Sequence, residues 1–206
     1  NVHEEAKCNP KIEALGVNQD KGAMEGKEVR IGSDATALWS VNTTVTSNGS
    51  VNGMHDSMMP FSGTVEMLNM QINSWFGGVG VGWMNYFTFI IIAVFMSGLM
   101  VGRTPEFLGK KVEAREMKIA SIVALLHPFL ILTGTAVAAY LFVHVPDFVV
   151  HEGGWLNNHG YHGLSEMLYE FTSSAANNGS GFEGLHDNSW FWNFSCGIVM
   201  ILGRYI

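Results

Sequence analysis

Two polar segments of this chain repeat one another. Thr43–Ser57 reads T-T-V-T-S-N-G-S-V-N-G-M-H-D-S and Thr172–Ser189 reads T-S-S-A-A-N-N-G-S-G-F-E-G-L-H-D-N-S. Both carry N-G-S, at Asn48–Ser50 and Asn178–Ser180, and then H-D, at His55-Asp56 and His186-Asp187, with offsets of 130 and 131 residues. Neither turn core, Ser47–Asn52 or Asn177–Gly181, contains an acid. The ligands on offer are therefore main-chain oxygens, which glycine allows the backbone to turn to one side. A ring of carbonyls replacing the hydration shell of an alkali ion is the chemistry this implies, not a ring of carboxylates. One N-G-S alone reads as a surface turn or a glycosylation acceptor; two copies in matching context favour the cation reading.

The elements that would hold these turns repeat as well. Short stretches with helical character, Ser33–Val45 and Leu164–Ala176, precede them and are too short to cross a membrane. A half-length helix at membrane depth leaves carbonyls unpaired, which is tolerated only inside protein or beside a watery cavity. Its C-terminal end favours a cation. Each turn is followed by an apolar run ending in Gly-Arg, Gly102-Arg103 and Gly203-Arg204. The expected unit is short helix, glycine-bearing turn, crossing helix, with Arg103 and Arg204 equivalent and near the inner membrane face. Internal repeats of this kind build transport proteins.

The whole 206-residue composition fits a lipid setting: 48% of residues are hydrophobic and 14% charged, against roughly 25% charged in a soluble domain. A net charge of −7 argues against nucleic acid, which needs a basic patch, and the 12% aromatic content against disorder. Two cysteines, Cys8 and Cys196, are too few for a disulfide framework. Without an initiator Met, and ending in an apolar stretch, the chain reads as a segment of something longer. No Lys or Arg lies between Ile31 and Gly102 or between Ile119 and Gly203. Tyr86–Gly102 and Ile119–Val143, the latter with a kink expected at His127-Pro128, are predicted to cross a bilayer, and a third run starts near Trp190. The connector Arg103–Lys118 has five basic and three acidic residues, which places it in the cytoplasm. Residues 1–30 then lie outside, their five bases offset by nearby acids.

Longer motifs carry a family resemblance. M-E-G-K-E-V-R at Met24–Arg30, the Ser47–Asn52 turn with M-H-D-S after it, F-G-G-V-G-V-G at Phe76–Gly82, G-R-T-P-E-F-L-G-K-K at Gly102–Lys111, A-R-E-M-K at Ala114–Lys118 and A-A-N-N-G-S-G-F-E-G-L at Ala175–Leu185 together resemble the potassium-binding A subunits (KdpA) of bacterial Kdp-type K+-transporting ATPases. That family in turn is similar to K+ channels and the Trk/Ktr/HKT transporters. The resemblance implies an all-α integral membrane fragment made of partial pseudo-fourfold, K+-channel-like repeats (helix, pore helix, filter loop, helix). It implies an extracellular loop at 1–32, a third pore unit at 33–102 (pore helix, filter, broken helix), a cytoplasmic loop at 103–118 and a fourth unit at 119–206.

On that resemblance the third filter strand is Thr46, Ser47, Asn48, Gly49 and Ser50, and the fourth is Asn177, Asn178, Gly179 and Ser180. Other members often have one Asn more in the fourth strand, which leaves its register open. K+ is the transported ion and the one bound metal; no organic cofactor and no catalytic residue is expected. ATP hydrolysis belongs to a separate P-type subunit, which with small accessory membrane subunits and the bacterial inner membrane completes the expected surroundings. Lys110, Lys111 and Arg115 are candidates for contact with that subunit. Four glycines at 77, 78, 80 and 82 disfavour helix by up to about 1 kcal/mol each, so a break is predicted over Phe76, Gly77, Gly78, Val79, Gly80, Val81 and Gly82. In the related transporters such a break gates the pathway; small residues that let helices approach closely would explain it equally.

Three competing signals are weaker. Gly102–Lys111 has six residues between its glycines and lacks the Ser or Thr a phosphate-binding loop requires after the Lys. His151, His159 and His162, with Glu152 and Glu166 nearby, match no recognised zinc spacing. His127 reads as a packed or hydrogen-bonded group rather than a proton relay. A stand-alone Trk/Ktr-type K+ channel or transporter and a non-conducting membrane scaffold remain the alternatives to an ATPase subunit.

Overall fold

From Val81 to Val101 apolar residues follow one another on every side of the helical wheel, the pattern of a helix whose surroundings are apolar throughout. The computed structural model describes residues 1–78 and 80–206. The protein is mostly α-helical: α1 (Val2–Glu5), α2 (Pro10–Glu13), α3 (Gly32–Val45), a 3-10 turn at His55–Ser57, α4 (Pro60–Ile72), α5 (Val81–Val101), the strands β1 (Glu106–Phe107) and β2 (Lys110–Lys111), α6 (Ala114–His144), α7 (Pro146–His151), α8 (Tyr161–Ala176) and α9 (Trp190–Tyr205). Helices α5 and α6 are each long and apolar enough to cross a membrane. They pack on one another yet leave Phe89, Leu99, Ile122, Phe129, Leu132 and Val143 exposed, an apolar surface that water would disfavour.

The observed boundaries shift several expectations. Helix α5 begins at Val81, five residues before the predicted run, so Val81 and Gly82 belong to its first turn and not to the break. Helix α6 runs 31 residues and continues through Pro128. It starts at Ala114 on a capping box, Glu113 with Glu116, which satisfies amides that the first turn leaves free. The charged connector is not wholly helical or irregular: Leu108 (φ 50°) and Gly109 (φ 74°) form a two-residue turn that pairs Glu106 with Lys111 and Phe107 with Lys110, as consecutive positive φ angles favour. Helix α8 starts three residues earlier than predicted.

Helix α8 is the pivot of the packing, lying against α6, α9 and α4. On its one side Phe171 joins Leu130, Ile131, Trp155, Trp192 and Val199 in the main core; on the other Tyr169 and Ala176 meet Met70 and Phe182. Small residues permit the closeness: at Gly134 any side chain would collide with the Phe171 ring. Helices α3 and α8 are buried although polar. Thr36, Ser40, Thr43 and Thr44 of α3 and Thr172, Ser173 and Ser174 of α8 are all enclosed, their hydroxyls in part returned to backbone carbonyls four residues earlier, as Thr36 to Gly32 O (2.8 Å) and Thr172 to Leu168 O (2.7 Å). The N-terminal charges are paired: Lys27 meets Glu5 at 2.9 Å with both side chains buried, and Glu5 also accepts from the Met59 amide (2.7 Å).

Candidate cation-binding turns

Helices α3 and α8 end in the same way. After Val45, Ser47 takes a left-handed conformation (φ 51°), and after Ala176, Asn177 does so (φ 52°). The reversal sends the Asn48 amide back to Thr43 O and the Asn178 amide back to Ser173 O, each at 2.9 Å. Each Asn side chain then accepts from the Ser amide two residues on, Ser50 N to Asn48 Oδ1 at 2.9 Å and Ser180 N to Asn178 Oδ1 at 3.0 Å, the Asx turn that makes Asn preferred here. These matched bonds pair Ser47 with Asn177, Asn48 with Asn178, Gly49 with Gly179 and Ser50 with Ser180. The stretches outside the turns match too, since Lys27 bridges to Gly53 and Leu156 to Leu185.

The two turns abut. A β-carbon placed on Gly49 would lie 2.7 Å from Asn178 O and 2.9 Å from the Gly179 carbonyl carbon, so Gly49 is required for space, whereas Gly179 is required by its φ of 93°. Asn178 Nδ2 donates across the junction to Thr43 O (3.0 Å). Behind the Asn177–Gly181 turn runs a buried chain: His55 Nδ1 lies 2.8 Å from Tyr169 OH, Tyr169 OH 2.9 Å from Ser180 Oγ, and Ser180 Oγ 2.6 Å from Asn178 Oδ1. Because Asn178 Oδ1 only accepts, Ser180 donates to it, Tyr169 donates to Ser180, and neutral His55 donates from Nδ1. Burial holds the His55 imidazole down, at a pKa of about 4.

The carbonyl oxygens divide sharply. Those of Asn48 and Ser50 accept from the Thr43 hydroxyl, and Ser50 O also from Trp39 Nε1 (3.1 Å). Among the described residues no hydrogen bond reaches the carbonyls of Thr46, Ser47, Gly49, Asn177, Asn178, Gly179 or Ser180. A cavity of about 370 Å³ on the loop side is lined by Gly49, Gly179, Ser180, Glu170, Glu183 and Asp187. A second, of about 520 Å³, is lined by Ser47, Gly78, Ala176, Asn177, Met200 and Arg204. The turns thus separate two spaces, with seven uncommitted oxygens at the division.

The family described as the potassium-transporting ATPase A subunit matches residues 1–206. The chain belongs to that family. A Phocaeicola vulgatus protein named potassium-transporting ATPase potassium-binding subunit is 81% identical over 206 residues, the whole of this chain and 36% of that protein. Proteins of the same name from Flavobacterium psychrophilum and Clostridium acetobutylicum are 61% identical over 209 residues and 51% identical over 199, covering 36% and 34% of their own lengths. The chain therefore spans about a third of the curated A-subunit relatives it matches.

The structure locates the residues singled out in the sequence, apart from Val79. The break between α4 and α5 of this A-subunit chain lies directly against the Ser47–Asn52 turn: the Gly77 amide donates to Val45 O (3.0 Å) and Ser47 Oγ to Asn73 Oδ1 (3.1 Å). Asn73 is itself left-handed (φ 45°). Phe76, Gly77, Gly78 and Gly80 form the break with it, and Val79 lies outside the described residues. The expected equivalence of Arg103 and Arg204 is corrected. Helices α4 and α9 each begin ten residues after Ser50 and Ser180, so α9 corresponds to α4 and Arg204 falls opposite Ser74. Arg204 lines the cavity with Ser47, Gly78 and Asn177, while Arg103 follows the end of α5, its amide closing the helix on Gly98 O (3.0 Å). His127 is hydrogen-bonded, Nε2 to Met70 O at 3.1 Å.

Sequence reading missed the groups that tertiary contact brings in. Thr43 opens the first repeated segment, but nothing in the sequence marks its hydroxyl as the partner of Asn48 O and Ser50 O. Glu170, Glu183 and Asp187 bring carboxylates to the loop-side cavity although the turn cores have none; burial pushes the Glu183 carboxyl above its ordinary range, partly offset by the amides of His55 and Asp56.

Proposed function

We propose that this chain forms two adjacent quarters of a K+ pathway, in a subunit that binds and translocates K+ for an ATP-driven, high-affinity uptake complex. Residues 33–102 and 119–206 are the third and fourth units of a pseudo-fourfold pore, 1–32 an external loop and 103–118 a cytoplasmic connector. The observation that carries the reading is the pair of abutting turns with matched hydrogen bonds and seven uncommitted carbonyl oxygens. Such oxygens replace the water around an alkali ion at low cost when the backbone already holds them in place. Glu170, Glu183 and Asp187 raise the local concentration of cations on the loop side. The ion leaves towards the cavity closed by the α4–α5 break, where the glycines act as a gate and Arg204 sets a positive charge in its path.

Two loops cannot surround an ion, so the remaining walls come from other parts of the full subunit. ATP hydrolysis resides in a P-type partner, with small accessory membrane subunits completing the complex in the bacterial inner membrane. In this reading α5 and α6 cross the membrane in opposite directions, which supports a multi-pass subunit.

Growth on limiting K+, rescued by the intact subunit, tests the assignment. Gly49→Asp and Gly179→Asp are each expected to abolish uptake or K+ selectivity while the complex still assembles. Wild-type growth at low K+ in both variants would remove the turns from the ion path.

A further inference from the structure

A second constellation lies at the loop end of the molecule, apart from the turns. Asp56, in the 3-10 turn that follows the third turn, meets His162 and Glu166 from the first two turns of α8. His162 and Glu166 stand four residues apart and so share a helix face. His162 Nε2 lies 2.7 Å from Asp56 Oδ1 and 3.9 Å from Glu166 Oε1. One ligand atom from each of the three falls within 4.8 Å of the others. Asn158 Nδ2 reaches both carboxylates, Asp56 Oδ2 at 3.2 Å and Glu166 Oε1 at 2.8 Å. His151 and His159 stand outside this group, and the residue that completes it, Asp56, is more than 100 positions away in the sequence.

Three features ask for a cation here. Glu166 has no exposed surface, yet its Oε2 has no hydrogen-bond partner, a costly state for a carboxylate oxygen. Asp56 and Glu166 face each other with His162 and Asn158 as their shared partners, and neither takes part in a Lys or Arg ion pair among the described residues. The space is built: a β-carbon on Gly184 would stand 2.6 Å from Asp56 Oδ2 and 3.0 Å from Asn158 Nδ2. Gly184 leaves room for Asp56, Glu166 and Asn158 to converge. The His162 side chain, 44% exposed, opens the group to solvent, and its ring stacks on Phe182 at 6.2 Å.

We propose that Asp56, His162 and Glu166 bind a divalent transition-metal ion of the Zn2+ class, with Asn158 as a positioning residue. One imidazole nitrogen and two carboxylate oxygens are a ligand set that Zn2+ takes, with a fourth position left for water. Ligands at zinc distances stand about 3.4 Å apart. Binding therefore asks the His162–Asp56 hydrogen bond to open and the His162–Glu166 gap to close, both by side-chain adjustment. A bound ion would clamp the loop after the third turn to the start of α8 and so brace the two repeated units against each other. The site does not depend on the turns carrying K+.

The test is Zn2+ titration of the metal-stripped intact complex in lipid nanodiscs, followed by calorimetry and by metal analysis after desalting. One Zn2+ per chain is expected. His162→Gln, which keeps a group able to bond Asp56, and Asp56→Asn should each weaken binding by about tenfold or more, the scale on which even indirect metal partners act. His186→Gln, altering a histidine that bonds Asn157 Oδ1 instead, should bind as wild type. Absence of stoichiometric binding, wild-type affinity in both His162→Gln and Asp56→Asn, or an equal loss in His186→Gln would overturn the site.

Discussion

Tyr169 shows how much of a turn's shape depends on one hydroxyl. It stands between His55 and Ser180 in a buried chain, so Tyr169→Phe leaves a donor and an acceptor without partners, at about 1–3 kcal/mol. The expected outcome is weaker discrimination of K+ from Na+ in uptake by the intact complex, with its assembly retained. His55 adds a dependence on acid. It is neutral in the fold with its pKa held at about 4 by burial, whereas the unfolded side chain titrates near 6.5. The unfolded state therefore binds the extra proton between those values, and the contribution of His55 to stability falls as pH falls from about 6.5 towards 4, by up to about 3 kcal/mol. Thermal unfolding of the complex compared at about pH 7 and pH 5 should show wild type losing stability relative to His55→Gln, a difference that separates this group from the other buried titrating side chains. The N-G-S triplets were legible in the sequence because Asn and Gly act on their own backbone. The pairing of Tyr169 with Ser180 and His55 was not, because those partners lie 11 and 114 residues away.

At the scale of elements, the short polar helices and their glycine-bearing ends were readable from local chemistry, and so were the two long apolar helices. Their boundaries were not. Val81 and Gly82 look like part of a glycine break, yet Gly82 is the buried residue of α5 and packs on Gly77; a residue suited to a break serves equally where backbones touch. The equivalence drawn between Arg103 and Arg204 failed for a similar reason. Gly-Arg recurs at the ends of apolar runs, but the helix that starts ten residues after Ser50 is α4, which ends at Ile72 well before Gly102, so matching run ends misaligns the units. The fit of α6 on α8 depends on Gly134 beneath Phe171. Gly134→Leu should force the helices apart or the ring from its place, costing about 1–3 kcal/mol, and should lower the melting temperature of the purified complex. Gly197, with open space around it, serves as the control: Gly197→Ala should melt as wild type.

For the whole molecule, the family and the two long apolar helices are those of a membrane protein. Leu132 projects outward from α6 and is 64% exposed, while its neighbour Ile131 is 3% exposed. Leu132→Lys near the middle of the helix should hinder membrane insertion by about 3 kcal/mol, read as a smaller share of the subunit in the membrane fraction; Leu132→Phe should have no such effect. The sequence by itself determined that the chain is helical and lipid-compatible, that two glycine-bearing turns repeat, and which family it resembles. Those properties follow from composition, from local backbone preference and from motifs, each of which lies within a few consecutive residues. Only the tertiary structure decided that the two turns touch, which carbonyls Thr43 claims and which stay free, and that Asp56 meets His162 and Glu166. Those are contacts between segments up to 135 residues apart, fixed by how α8 lodges among α4, α6 and α9, and no local spacing encodes them.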